Sequence, residues 1–154
     1  MKKAISFILV LVLIASLTLT AFADESQEIT VSYTASESYE VVIPSSQSFS
    51  DGCLSTEDSL SATALLGVGK VLRIFMNSAN GFALKCGDSS IAYGVSAGGD
   101  ALDNDACVLE VMAGSVSGLC RLFFYTTEED IASATIAGEH TDIITFSCSI
   151  EQVD

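Results

Sequence analysis

The chain has 154 residues, and its twenty acidic side chains face only six lysines and arginines, which gives a formal charge of −14. Binding to nucleic acid or to an anionic membrane surface depends on cationic side chains, so this composition excludes both as partners. The length suits a single domain. The acidity favours solubility outside the cell, and binding of a cation is the more specific alternative.

The first 23 residues have the three parts of a secretory signal. Lys2 and Lys3 are followed by an almost unbroken apolar run, Ile5 to Leu17. Ala21-Phe22-Ala23 then forms a small-x-small cleavage site. We expect cleavage there, which leaves one mature domain over 24–154 that is secreted or held at the cell surface. An uncleaved anchor is disfavoured because the apolar run is short for a bilayer, and we expect no membrane insertion after cleavage.

In the mature chain, apolar and polar residues alternate with a period of two, which predicts β-strands. Ile29, Val31 and Tyr33 begin a predicted strand over 29–34. A second predicted strand, over 39–43, ends at Pro44, the only proline. A weak strand is predicted over 60–64.

The run from Val71 to Met76 is apolar on both faces apart from Arg73, which predicts a central strand. Further strands are predicted over 82–86, 91–95, 107–112 and 119–125, with a polar loop at 98–105 and a helical turn within 126–134. The last predicted strand, 142–151, carries four side chains that we expect in the core: Ile144, Phe146, Cys148 and Ile150. About nine short strands with regular turns predict an all-β sandwich or barrel.

The cysteines leave two alternatives open. An exported chain meets an oxidising compartment, which favours disulfides, but the number is odd, so at least one thiol is free or pairs with another chain. Three of them fall in phase with apolar strand residues, so burial as small apolar side chains is the alternative. The mature chain has five cysteines: Cys53, Cys86, Cys107, Cys120 and Cys148. The three in phase with apolar strand residues are Cys86, Cys120 and Cys148.

The segment Ala137-Gly-Glu-His-Thr-Asp-Ile-Ile-Thr-Phe146 resembles the closing "A-G-x-Y-T-D-x-(L/I)-T-F" hairpin of small secreted Gram-positive β-sandwich proteins. These include spore-coat-U-like and fimbrial-subunit-like proteins and WxL-type surface domains. The resemblance implies an immunoglobulin-like antiparallel sandwich of about eight or nine strands, a cell-surface setting, and structural or adhesive work without catalysis. His140 stands where that pattern has Tyr, which suggests a packing role for the imidazole.

Two groups of polar residues suggest site chemistry. Asp100, Asp103, Asn104 and Asp105 lie in one loop and offer the oxygen ligands that calcium prefers, although we favour a solvated acidic loop because the spacing lacks the EF-hand pattern. His140, the only histidine, could pair with Asp142 and a serine as in a hydrolase. No G-x-S-x-G motif accompanies it, so we favour a turn or packing histidine.

A carbohydrate hydrolase or binder normally presents exposed aromatic side chains. The chain has no tryptophan. Its tyrosines fall in phase with strand cores or partner faces, so we expect them to pack: Tyr33, Tyr39, Tyr93 and Tyr125.

The sequence predicts a secreted, non-catalytic β-sandwich subunit that recognises other surface proteins or copies of itself through a sheet edge. The strand containing Ile29, Val31 and Tyr33 is the expected partner edge. No cofactor is expected. The alternatives are a calcium-dependent ligand-binding module and, less favoured, a small secreted hydrolase.

Overall fold

The computed structural model describes residues 30–50 and 53–153. The predicted signal at 1–23 and Ile29 lie outside these residues. The chain divides into two compact units, of which the first ends at Thr34 and the second begins at Ala35. No helix in the described ranges is long and apolar enough to cross a membrane.

The second unit is built almost entirely of antiparallel strands, so the protein is all-β, as predicted. The five-stranded sheet has the order β1-β2-β9-β6-β7, the three-stranded sheet has the order β10-β3-β8, and β4 pairs with β5. The elements are β1 (Ser38–Val42), β2 (Ser55–Leu65), β3 (Lys70–Ser78), β4 (Ala83–Cys86), β5 (Ser89–Ala92), β6 (Gly94–Ala97), β7 (Asp100–Ala101), β8 (Ala106–Met112), β9 (Ser117–Tyr125), α1 (Glu128–Ala132) and β10 (Ile144–Gln152).

One apolar core is shared by the two larger sheets, which stack as the layers of a sandwich-like fold. The sheets approach closely at Gly118 on β9, where an added Cβ would lie 2.9 Å from the Val111 side chain of β8. Burying this apolar surface is the main favourable term in folding. The core residues are Leu60, Ala62, Leu72, Ile74, Met76, Tyr93, Val95, Val108, Val111, Leu122 and Phe124.

Strand β3 is central, which confirms the prediction made from its two-sided apolar pattern. It pairs with β10 on one side and β8 on the other. Its outer face carries Arg73, which contacts Glu110 at 2.6 Å and Glu151 at 2.5 Å. This guanidinium therefore links the three strands, although pairs this exposed add little stability.

Several boundaries differ from the prediction. Strand β2 has eleven residues and begins at Ser55, because pairing with β9 from Ser55 to Thr63 outweighs the weak strand propensity of its serines. The predicted strand over 91–95 is divided at Tyr93 into β5 and β6. The loop at 98–105 contains the two-residue strand β7. The helical turn is confirmed, with the Thr127 side chain accepting a hydrogen bond from Asp130 N.

The predicted opening strand over 29–34 is wrong for the residues that are described. No strand occurs over 30–37, and Val31 and Tyr33 are 90% and 91% exposed. Alternation alone gives this segment no backbone partner, and a strand needs one.

The prediction that the tyrosines pack in the core is also wrong for Tyr39 and Tyr125, which are 49% and 39% exposed. Only Tyr93 is buried as expected.

All five cysteines are free thiols, and no two are joined. Cys53, Cys107 and Cys148 are exposed, so burial was a wrong prediction for Cys148. Cys86 and Cys120 are partly buried, as their strand phase predicted. Burial raises the pKa of the Cys120 thiol.

Candidate interaction site

The edge strands of the two larger sheets differ in how far they are protected against pairing with another chain. Strand β1 is five residues long and carries Glu40, and β7 has only two residues. Strand β8 carries a bulge at Val108, where its register with β3 shifts, and an exposed Glu110. Short length, charge and bulges are the usual means of blocking unwanted edge pairing.

Strand β10 is longer than β1 and β7, has no bulge, and carries its single charge only near its end. It is nine residues long, ITFSCSIEQ, with no proline, no lysine and a single charge at Glu151. Its register with β3 is unbroken from Ile144 opposite Ser78 to Gln152 opposite Lys70. Among the described residues, no strand pairs with its other side. A long, regular and nearly neutral edge of this kind is a template for another strand.

The hydrogen-bond phase shows which residues of β10 face the open side. Ala79 N donates to Ile143 O at 2.9 Å, and Val153 N donates to Gly69 O at 2.6 Å. Odd-numbered residues therefore bond β3, because the backbone groups of a strand alternate in direction. The N–H and C=O groups of the even-numbered residues point away from β3, toward the open edge.

The even-numbered side chains share the inward face, opposite Leu72, Ile74 and Met76 of β3. Ile144 and Phe146 pack against the core, as predicted. The prediction is wrong for the second half of the strand: Cys148 is exposed and Ile150 is 36% exposed. Part of the inward face of β10 is thus left uncovered at the open edge.

A cleft of about 370 Å³ lies beside the first half of β10. It is bounded by the segment over 43–49 that follows β1, by β10 itself, and by aromatic side chains from the core. Apolar surface dominates, and Asp142 is its only charged group. The lining apolar residues are Ile43, Phe49, Leu84, Tyr93, Phe124, Ile143, Ile144 and Phe146.

Asp142 fixes the start of β10 through four hydrogen bonds. Its Oδ2 accepts from Ser78 Oγ at 2.5 Å and from the Tyr93 hydroxyl at 2.7 Å. Its Oδ1 accepts from the backbone N–H groups of Asn80 and Ile143. The carboxylate therefore ties the end of β3, the start of β6 and the entry to β10 together.

Tyr93 is the aromatic centre of this arrangement. Its ring lies 5.8 Å from the Phe82 ring in an edge-to-face contact and 6.3 Å from the Phe49 ring. Burial raises the pKa of the Tyr93 hydroxyl well above its ordinary value, and the hydrogen bond to the Asp142 carboxylate raises it further. The phenol is therefore held in its protonated form.

This raised pKa predicts a loss of stability in alkali. The unfolded tyrosine ionises near pH 10, whereas the folded one keeps its proton, so the folded state binds more protons above that pH. We expect the free energy of unfolding to fall above about pH 10 by up to roughly 1.4 kcal/mol per pH unit from this group. Chemical denaturation across pH 8–11.5 measures it. Tyr93→Phe should remove this contribution, and an unchanged slope in that variant would contradict the assignment.

The structure does not bring His140 and Asp142 together. The imidazole Nδ1 lies 3.1 Å from Gly138 O, and its Nε2 lies 2.8 Å from the Ser89 hydroxyl. Ser89 is 1% exposed, and its Oγ also accepts from Thr135 N and Ile136 N. This hydroxyl closes a loop and is not presented to a substrate.

Two residues of the acidic loop are hydrogen-bonded to the end of β3. Asn104 Oδ1 accepts from Ser78 N at 2.8 Å, and Asp105 Oδ1 accepts from Asn77 Nδ2 at 2.8 Å. Asp100 lies in β7, and Asp103 is exposed in the turn before β8. In the part of the chain that is described, no three His, Cys, Asp or Glu side chains form a group able to hold a metal ion. Calcium binding stays a prediction.

Comparison with protein-family models and with curated proteins returns no match.

The sequence analysis did not identify the open edge of β10 as a candidate site. The run from Ile144 to Ile150 has no charge, lysine or proline, which is the signal of an unprotected strand. Only the strand order shows that this run lies at an edge.

Proposed function

We propose that this protein is a non-catalytic structural or adhesive subunit of the cell surface or the extracellular space, and that it binds a polypeptide strand through the open edge of β10. The observation that carries the proposal is the unprotected, unbroken edge of this strand. Main-chain hydrogen bonds would supply affinity, as in other cases of strand addition, and pockets beside the strand would supply specificity.

The surroundings of the edge support this kind of ligand. The even-numbered residues offer outward-facing backbone groups, and the exposed Cys148 and Ile150 side chains leave apolar surface for an added strand to cover. The cleft at Phe146 lies at the other end of the same edge and would accept an apolar side chain. The signal-like N-terminus and the closing hairpin support an exported subunit of the kind that the resemblance implies.

Proline at neighbouring positions of β10 tests the proposal. Cys148→Pro removes an outward N–H and should block strand addition without breaking the β3 ladder. We expect wild type to associate as concentration rises in analytical ultracentrifugation, and Cys148→Pro to remain a monomer with its strand content intact by circular dichroism. A wild-type chain that is strictly monomeric at high concentration and binds no cell-surface protein would contradict the proposed function.

Ser147→Pro is the matched comparison. Ser147 bonds β3, so proline there removes a ladder hydrogen bond and should lower the free energy of unfolding by roughly 2 kcal/mol. Cys148→Pro should cost clearly less. Equal losses in the two variants would show that the phase of β10 is not the one described.

A further inference from the structure

We infer that the strand accepted by β10 is β10 of a second copy, paired antiparallel about a two-fold axis at Cys148. This inference rests on the proposed function and names its partner. The two copies would form one continuous sheet in the order β8-β3-β10-β10-β3-β8. Such an interface uses the same surface twice, which is the rule for two-fold dimers.

The phase of β10 permits this axis. Cys148 is the middle residue of the nine-residue strand, and its N–H and C=O belong to the set that points away from β3. Two Cys148 residues can therefore exchange backbone hydrogen bonds directly across the axis. Every other two-fold register leaves one end of each strand without a partner, so pairing at Cys148 gives the longest ladder.

The side chains match about the same axis. On the inward face, Phe146 of one copy would lie opposite Ile150 of the other, so each covers apolar surface that the single molecule leaves exposed. On the outer face, Ser147 would lie opposite the second copy's Ser149. No two charged side chains of β10 lie opposite each other in this arrangement.

The charge distribution permits a second copy at this edge. The molecule is strongly acidic, so two copies repel each other at most of their surface. Strand β10 has one charge, Glu151, and the two-fold pairing places it opposite Thr145 of the other copy. The two Glu151 side chains then lie about 20 Å apart along the strands, at roughly 3.4 Å per residue.

Charge pairs at positions 147 and 149 test both the partner and the register. In the proposed dimer these positions are direct, closely spaced neighbours across the interface. S147K/S149E places unlike charges opposite each other twice, and S147E/S149E places like charges there. We expect the dimer dissociation constant of S147E/S149E to be about tenfold higher than that of S147K/S149E, by sedimentation equilibrium.

Glutamate at 149 is shared by both variants because Ser149 lies opposite Arg73 of β3. The only difference is then at position 147, which lies opposite Phe75. S115E/S117E carries the same added negative charge as S147E/S149E on exposed residues away from β10 and should dimerise like wild type. Weakening in this control equal to that in S147E/S149E would overturn the inference, because net charge would explain both.

The thiol at the axis provides a second readout. Residues directly opposite in such a pair have Cα atoms about 5.5 Å apart, so a short bis-maleimide should join two Cys148 side chains. In a C53S/C107S background, which removes the other exposed thiols, we expect a cross-linked dimer that disappears when C148S is added. Efficient cross-linking without Cys148 would overturn the assignment.

The experiment separates failure of this pairing from failure of the proposed function. All variants are made in the full-length gene product, as the expression host processes it. Self-association that is the same in S147K/S149E and S147E/S149E but is abolished by V31D/Y33D would overturn the β10–β10 pairing. That result would show that the added strand is the N-terminal segment. Recognition of a strand by the β10 edge would still stand. Strictly monomeric wild-type protein would overturn the pairing, and binding of a cell-surface protein that Cys148→Pro abolishes would still support the proposed function.

Discussion

Replacing Ile74 with alanine is expected to lower the free energy of unfolding by about 3 kcal/mol, within the range for large-to-small changes in packed cores. Ile74 is fully buried in the central strand β3, between β10 and β8. Its neighbour on β8 is Leu109, next to the bulge at Val108. Backbone paired on both sides cannot move to fill the cavity, so the loss should lie above the lower end of that range. Urea denaturation measures it.

Ile150→Ala is the matched control. The same side chain is removed from the inward face of the neighbouring strand, but Ile150 is 36% exposed. In dilute protein we expect a loss of about 1.5 kcal/mol, roughly half that of Ile74→Ala, because part of this side chain already contacts water and less buried apolar area is removed. If Ile150→Ala cost as much as Ile74→Ala, the inward face of β10 would be covered and the open edge would be wrong.

Replacing Asp142 with alanine should have an effect of similar size, about 3 kcal/mol, for a different reason. The variant removes the acceptor of two side-chain hydroxyls and two backbone N–H groups, and the buried hydroxyls of Ser78 and Tyr93 lose their partner. Leaving buried polar groups unsatisfied costs more than the net value of a hydrogen bond. Chemical denaturation at neutral pH gives the loss.

Asp142→Asn keeps the shape and one oxygen acceptor, and its NH₂ group can donate to a reoriented hydroxyl. We expect about half the loss of the alanine variant. A loss in Asp142→Ala of less than about 0.5 kcal/mol would show that the carboxylate does not hold these groups together, since surface changes fall in that range.

Both predictions concern how the open edge is held in place. Ile74 packs in the core from β3, the strand that pairs with β10. Asp142 binds the backbone N–H of Ile143, immediately before β10 begins. These contacts hold β10 in register with β3 along its whole length. A rigid edge binds an added strand at a lower entropy cost than one that must first be ordered.

The fold class followed from the sequence because period-two alternation is a local property. Strand β3 was predicted as central from its apolar residues on both faces, and the helical turn of α1 from its acidic first turn. The closing strand was also correct in position. Each of these predictions depends only on neighbouring residues and on which faces must avoid water.

The sequence could not show which strands lie at an edge, because strand order is set by contacts between distant segments. Alternation at 29–34 suggested an edge strand, but the described part of this segment has no backbone partner, and β10 at the other end of the chain has the open side. The prediction that Cys148 is buried was wrong for the same reason, because burial of its side chain depends on how far the opposite sheet extends. The Asp142 and Ser89 hydrogen-bond sets join residues far apart in the chain, and no local pattern encodes them.

The sequence by itself determined that this protein is all-β, acidic and built around the apolar strand β3, because composition and alternation act residue by residue. Only the tertiary structure decided where the sandwich is open. That outcome depends on which strands pair, how far the opposite layer extends, and where the hydrogen-bond phase of β10 points. These are properties of the assembled sheets, and they leave β10 as the unprotected edge to which we propose that a partner binds.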